Sequence, residues 1–229
     1  MKFAYRVLVC VCIAIVFSAC GTSPHGATVA VLVQVDRPEG VSDQDLKAGF
    51  EGSLPQYQRI SGLQRKYFVY TNAQFGGVYL WDSRSSAEAF FNESWRGRIA
   101  STYGNNATLT YFDVPTETEG ASPESAGEDG IVAIVKVGAP WYAPRAIISS
   151  RMQESLSEYA SVAGLDYKIY SIGQGKKIGG IYLWDNEKTA KTFYNDAWHK
   201  RIHDTYGEDA ELELYAAPVI LINENSIGS

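Results

Sequence analysis

The stretch Gly76-Gly77-Val78-Tyr79-Leu80-Trp81-Asp82 recurs 103 positions later as Gly179-Gly180-Ile181-Tyr182-Leu183-Trp184-Asp185, with one change. Read on without a gap, residues 76–114 and 179–217 share 17 identities in 39 positions. The matches include Phe90 with Phe193, Asn92 with Asn195, Trp95 with Trp198, Arg98 with Arg201 and Ile99 with Ile202. A repeat of this length constrains the fold more than composition does, because each copy must build the same unit.

Both copies parse alike. Residues 28–35 carry Val29, Val31, Val33 and Val35 and read as a strand, with Ile131 to Val137 as its partner. A helix follows with Leu46, Phe50, Leu54 and Tyr57 on one stripe, and Ile148, Met152, Leu156 and Tyr159 repeat it 102 positions on. Ser42 with Asp45 three residues later predicts a capping box, and Pro144 suits the start of the second copy's helix. Gly62 and Gly164 mark helix stops before the strands Leu63–Tyr70 and Leu165–Ile172. One extra residue in the hairpin Gly173-Gln174-Gly175-Lys176-Lys177 moves the offset from 102 to 103. The Gly-Gly strand then leads to a second helix capped by Asp82 or Asp185. Ala87, Phe90 and Phe91, like Ala190, Phe193 and Tyr194, mark its buried side, and residues 107–114 and 210–217 supply a fourth strand.

The order is β-α-β-β-α-β twice, an α+β chain of two ferredoxin-like repeats. Such a sheet has helices on one face and needs a cover for the other. Two units in one chain meet that need by packing sheet to sheet, as an intramolecular dimeric α/β barrel and a pseudo-dimer that needs no second chain. Val78 and Leu80 then face one way and Tyr79 and Trp81 the other. The boundaries follow: repeat one at 28–114, an acidic, solvated linker at 115–129, and repeat two at 130–229 with a C-terminal tail. The apolar Val219 to Ile222 of that tail predicts an edge strand across the pseudo-twofold.

Ahead of the repeats, Lys2 and Arg6 precede an apolar run from Val7 to Phe17, too short to span a membrane as a helix. It ends in Phe17-Ser18-Ala19-Cys20-Gly21, which resembles a bacterial lipobox. That pattern assigns 1–19 to a lipoprotein signal peptide, Cys20 to lipidation and 20–27 to a tether; an ordinary secretory signal is the alternative. Cys10, Cys12 and Cys20 are the chain's three cysteines, so the domain behind the signal has none. Gly21, in place of an aspartate, points to an outer-membrane anchor facing the periplasm. Cleavage leaves 18 of the 20 basic residues against 26 acidic ones, which argues against nucleic acid as a partner. The bilayer would be met through Cys20.

Residues 179–190, Gly-Gly-Ile-Tyr-Leu-Trp-Asp-Asn-Glu-Lys-Thr-Ala, closely resemble the strand-to-helix signature of the YdhR-type monooxygenase family. Its members are small dimeric α/β-barrel proteins related to the cofactor-independent antibiotic-biosynthesis monooxygenases. The resemblance implies a monooxygenase-like protein that acts on or binds a small aromatic or hydrophobic molecule. It covers each repeat and not the signal or linker. This chain departs from the family in fusing two copies and in its export signal.

The residues themselves carry no Gly-x-Gly-x-x-Gly after a strand, no phosphate loop and no Cys-x-x-Cys, so no cofactor is expected. His199 and His203 stand four apart on a helix, but no acidic third ligand is placed by spacing and no metal site is assigned. The duplicated set Tyr79, Trp95 and Arg98 with Tyr182, Trp198 and Arg201 fits two readings. One is packing between helix and sheet. The other is a ligand pocket there, with an arginine stacked on an aromatic wall. The second repeat, with its histidines nearby, is the one expected to react. Cofactor-free oxygen chemistry needs an oxidisable, phenol-like substrate and a base, and no residue stands out as that base. The alternative function is a non-catalytic, lipid-anchored small-molecule-binding or envelope interaction domain.

Overall fold

The computed structural model describes residues 27–140 and 142–223. The signal segment, Cys20 and most of the tether lie outside them. Repeat one comprises β1 (Val29–Asp36), α1 (Asp43–Tyr57), β2 (Leu63–Tyr70), β3 (Gln74–Trp81), α2 (Arg84–Phe90), α3 (Glu93–Tyr103) and β4 (Thr108–Asp113). A short β5 (Glu117–Glu119) leads to repeat two. That repeat comprises β6 (Ile131–Gly138), α4 (Arg145–Glu154), α5 (Leu156–Tyr159), β7 (Leu165–Ile172), β8 (Lys177–Trp184), α6 (Glu187–Phe193), α7 (Asp196–Tyr206) and β9 (Glu211–Ile222).

Strand alternation decides which face is which. In β1, Val29, Val31, Val33 and Val35 pack under the helices, while Ala30 and Leu32 join a central cluster. Val78 and Leu80 join Ala30 there, and Tyr79 and Trp81 turn to the helix side. The central cluster mixes both repeats, bringing Tyr67, Val78 and Phe112 together with Ile134, Ile169 and Ile181. The two sheets therefore cover each other.

The strand order is β4-β1-β3-β2-β9-β6-β8-β7-β5, and a β4–β7 pairing at Asp113 and Ile172 closes the ring. Both joins between repeats are made the same way. β9 pairs with β6 over 211–216 and then with β2, where Ile220, Leu221 and Ile222 face Tyr67, Lys66 and Arg65. β5 sets Glu117, Thr118 and Glu119 against Ile169, Lys168 and Tyr167 of β7. These registers map onto one another residue for residue under the 103 and 102 offsets. Pro115 and Pro218 occupy the matching crossing points, where the chain changes partners and a missing N–H is tolerated.

Several local expectations change. The 115–129 segment is more than a solvated linker, since β5 lies in it and Glu117 accepts from the Ala27 amide at 3.1 Å. The tail segment is an inner strand of the closed barrel, not an edge. Ser83 and Asn186, rather than Asp82 and Asp185, cap the second helices by accepting from the Ser86 and Thr189 amides. The Ser42–Asp45 capping box is present and Pro144 is an N-cap. The Ile148–Tyr159 stripe is broken at Ser155, whose hydroxyl bonds Tyr170 Oη at 2.7 Å.

Candidate functional site

Period-two alternation on β2 puts Lys66 and Phe68 on the same face, toward the helices. The ladder places Tyr79 of β3 directly opposite Lys66, and the last residue of α1 is Tyr57. These elements build a cage. Lys66 Nζ lies 3.2 Å from the Tyr57 ring centre, 3.7 Å from that of Phe68 and 4.5 Å from that of Tyr79. Lys66 is 2% exposed, and among the described residues its side chain makes no hydrogen bond and no ion pair. Burial pushes its ammonium well below the usual lysine range. The ring faces offset part of that cost whenever the proton is present.

The second repeat builds the same cage. Lys168, also 2% exposed, has Nζ 2.9, 3.8 and 4.8 Å from the ring centres of Tyr159, Tyr170 and Tyr182. Burial pushes it down as well, with Glu158 pulling the other way. Two buried, unpaired lysines at matching positions are costly to fold, which makes them candidates for chemistry.

The glycine pair now has a physical account. A Cβ on Gly76 or Gly179 would lie 2.0 or 1.9 Å from the carbonyl oxygen of Val33 or Val135, so no side chain fits the backbone approach. Gly77 serves a different end. Its Cβ would stand 3.0 Å from Lys66 Cε and 3.1 Å from Tyr79 Cε2, the space that the caged side chains occupy.

Beside the first cage lies a cavity of about 300 Å³ between the sheet and helices α1 and α3. Lys66, Tyr57, Phe68, Phe75, Tyr79, Trp95, Ile99 and Tyr103 line it, with Asp45 and Ser53 among the few polar groups. The Tyr79 hydroxyl donates to Tyr57 Oη at 3.4 Å, and burial raises both phenols. The volume is at the lower end of small-molecule sites and suits a compact aromatic compound.

Of the sequence-predicted residues, Tyr79 and Trp95 meet at this cavity, while Arg98 is exposed and does not line it. Trp198 and Arg201 border an open groove beside α6 and α7, whose other walls include Asn186, Thr189 and Asn195. Tyr182 belongs to the Lys168 cage instead. Neither arginine forms an ion pair among the described residues. His203 bonds Asp209 at 2.9 Å and His199 lies edge-on to Trp198, so the two do not converge. Among the described residues no three metal-ligating side chains cluster.

Sequence reasoning missed Lys66 and Lys168. Their signal was a lysine at the same place in each copy of the second strand, ahead of the Gly-Gly stretch.

No protein-family profile and no curated protein matches the chain. Solved structures do. A proposed monooxygenase from Fusobacterium nucleatum is similar at TM-score 0.64 and 6% identity, over 86% of this chain and 95% of that one. A proposed monooxygenase from Lactobacillus acidophilus is similar at 0.56 and 10%, over 86% and 97%. An anthrone oxidase-like protein is similar at 0.53 and 11%, over 86% and 94%. Each likeness runs across both repeats, and each is a likeness of fold.

Proposed function

We propose, from the premise that this chain has the ferredoxin-like double-repeat fold of those monooxygenase-type proteins, that it is an envelope lipoprotein acting on a small aromatic molecule without a cofactor. The observation that carries the reading is the first-repeat cavity, apolar-walled and bordered by the caged amine of Lys66, which burial holds well below the usual lysine range. A phenol, or a methylene activated between aromatic rings, gives its proton to Lys66. The ring faces of Tyr57, Phe68 and Tyr79 then steady the ammonium that forms. The substrate anion supplies the electrons: the methylene, or the ring C–H para to a phenolate oxygen, becomes a carbonyl with one oxygen atom of O₂, and the other leaves as water. Cys20 would hold the domain at the outer membrane, facing the periplasm, with the barrel complete in one chain.

The test is oxygen uptake with anthrone as probe, beside binding of 4-nitrophenol followed by tryptophan fluorescence. Uptake that depends on Lys66 supports turnover. Binding with no uptake leaves a lipid-anchored binding protein, and no binding in the wild-type protein ends the cavity reading.

A further inference from the structure

Lys66 has a property that proton transfer alone does not use. Among the described residues its amine has no hydrogen-bond or ion-pair partner, and three ring faces enclose it instead. The stem is held by the space Gly77 leaves open, which fixes Nζ among three rings and limits the freedom lost on reaction. Cavity space reaches this side chain, and two tyrosine hydroxyls, Tyr57 and Tyr79, share the same wall. A desolvated lysine in an apolar pocket is the setting in which an amine acts as a nucleophile toward carbonyl carbon.

We infer that the first-repeat cavity captures small apolar aldehydes and ketones, a single aromatic ring bearing a carbonyl, as an imine on Lys66 Nζ. The nitrogen lone pair forms the C–N bond while the carbonyl π pair moves to oxygen. A proton passes from nitrogen to that oxygen to give the carbinolamine. The C–O bond then breaks, oxygen departs as water carrying both protons of the original amine, and the C=N bond is left. Nothing is oxidised or reduced. A tyrosine hydroxyl lends a proton to the leaving oxygen and regains it from nitrogen. Lys168 is the weaker candidate, because Glu158 favours its charged form.

The inference rests on the cavity reading and is tested so that the two fail separately. The full chain is incubated near neutral pH with benzaldehyde and cyanoborohydride, and the labelled peptides are located by mass spectrometry. Lys66 should be benzylated at least tenfold faster than the exposed Lys188 and Lys200, and 4-nitrophenol should protect it. Tyr57→Phe, which keeps the ring, should slow the labelling several-fold. If 4-nitrophenol binds but Lys66 stays unlabelled, the imine is wrong and the cavity reading stands. If neither probe binds, both fall. Preferential labelling of Lys168 overturns the assignment to the first repeat.

Discussion

Lys66 Nζ stands 3.2 Å above the centre of the Tyr57 ring, and Lys168 Nζ stands 2.9 Å above that of Tyr159 at the matching place in the other repeat. The cage is thus a property of the repeat unit, and the cavity of about 300 Å³ lies beside its first copy. Its consequences for stability can be separated from those for chemistry.

Burial holds the folded-state pKa of Lys66 below its ordinary value of 10.5. Between the two values the unfolded chain carries a proton that the folded chain lacks, so stability rises with pH across that window. One lysine contributes a slope of about 1.4 kcal/mol per pH unit. Lys66→Met should therefore be more stable than wild type near neutral pH. The advantage should shrink toward the lysine range, with a slope difference of about one proton in urea titrations. Buried tyrosines act the other way and only near their own ordinary range, with Tyr79 pushed above 10.0. Equal slopes would show that Lys66 stays charged in the fold.

Gly76 and Gly77 should differ in kind. Gly76→Ala drives a methyl into the Val33 carbonyl and should cost about 4 kcal/mol or more. Gly77→Ala meets Lys66, Tyr67 and Tyr79 at 3.0 to 3.1 Å and should cost about 1–3 kcal/mol. Gly77→Val should be worse again. Thermal unfolding ranks the three, and an unchanged midpoint for Gly76→Ala would contradict the close approach.

Ending the chain after Ala217 removes the inner half of a barrel join. Val219 and Leu221, both buried against the first repeat, would be lost, and β2 would gain an open edge. The expected loss is roughly 3–6 kcal/mol from those two side chains alone, with self-association through the exposed edge. Either repeat expressed by itself should associate for the same reason. Light scattering reads both, and a stable monomer from the shortened chain would refute the join.

Asp113 ties the repeats at the surface, accepting from Arg84 at 3.2 Å and from Arg145 at 2.6 Å. Partial burial works upward on its pKa, but the two arginines outweigh it and hold the carboxyl below its usual value. Its contribution is present above the ordinary carboxylate range and is lost as pH falls through the lowered value. The side chains are 35%, 47% and 61% exposed, so Asp113→Asn should cost less than about 1 kcal/mol near neutral pH. The difference should fade in high salt and in acid. A larger, salt-independent loss would point to a packing role.

Cys20→Ser tests the anchor independently of the fold. The variant should leave the membrane fraction and escape lipid-dependent processing. Retention in the membrane with normal processing would remove the lipoprotein reading.

The chain by itself determined the unit and its duplication. Identity at a fixed offset, alternation in Val29–Val35 and helical spacing through Leu46, Phe50 and Tyr57 are properties of neighbouring residues, and they place strands and helices before any packing is known. The Gly-Gly pair was visible in the same way. Only the tertiary structure made Glu117-Thr118-Glu119 a strand, because backbone pairing with β7 needs no apolar pattern and the sequence offers none there. The matching Pro115 and Pro218, one position past the end of the counted repeat, were the remaining clue. The lysine cages were decided there too. A lysine's charge depends on what is packed over it, and Tyr57, Phe68 and Tyr79 come together around Lys66 only when α1, β2 and β3 have folded onto one another.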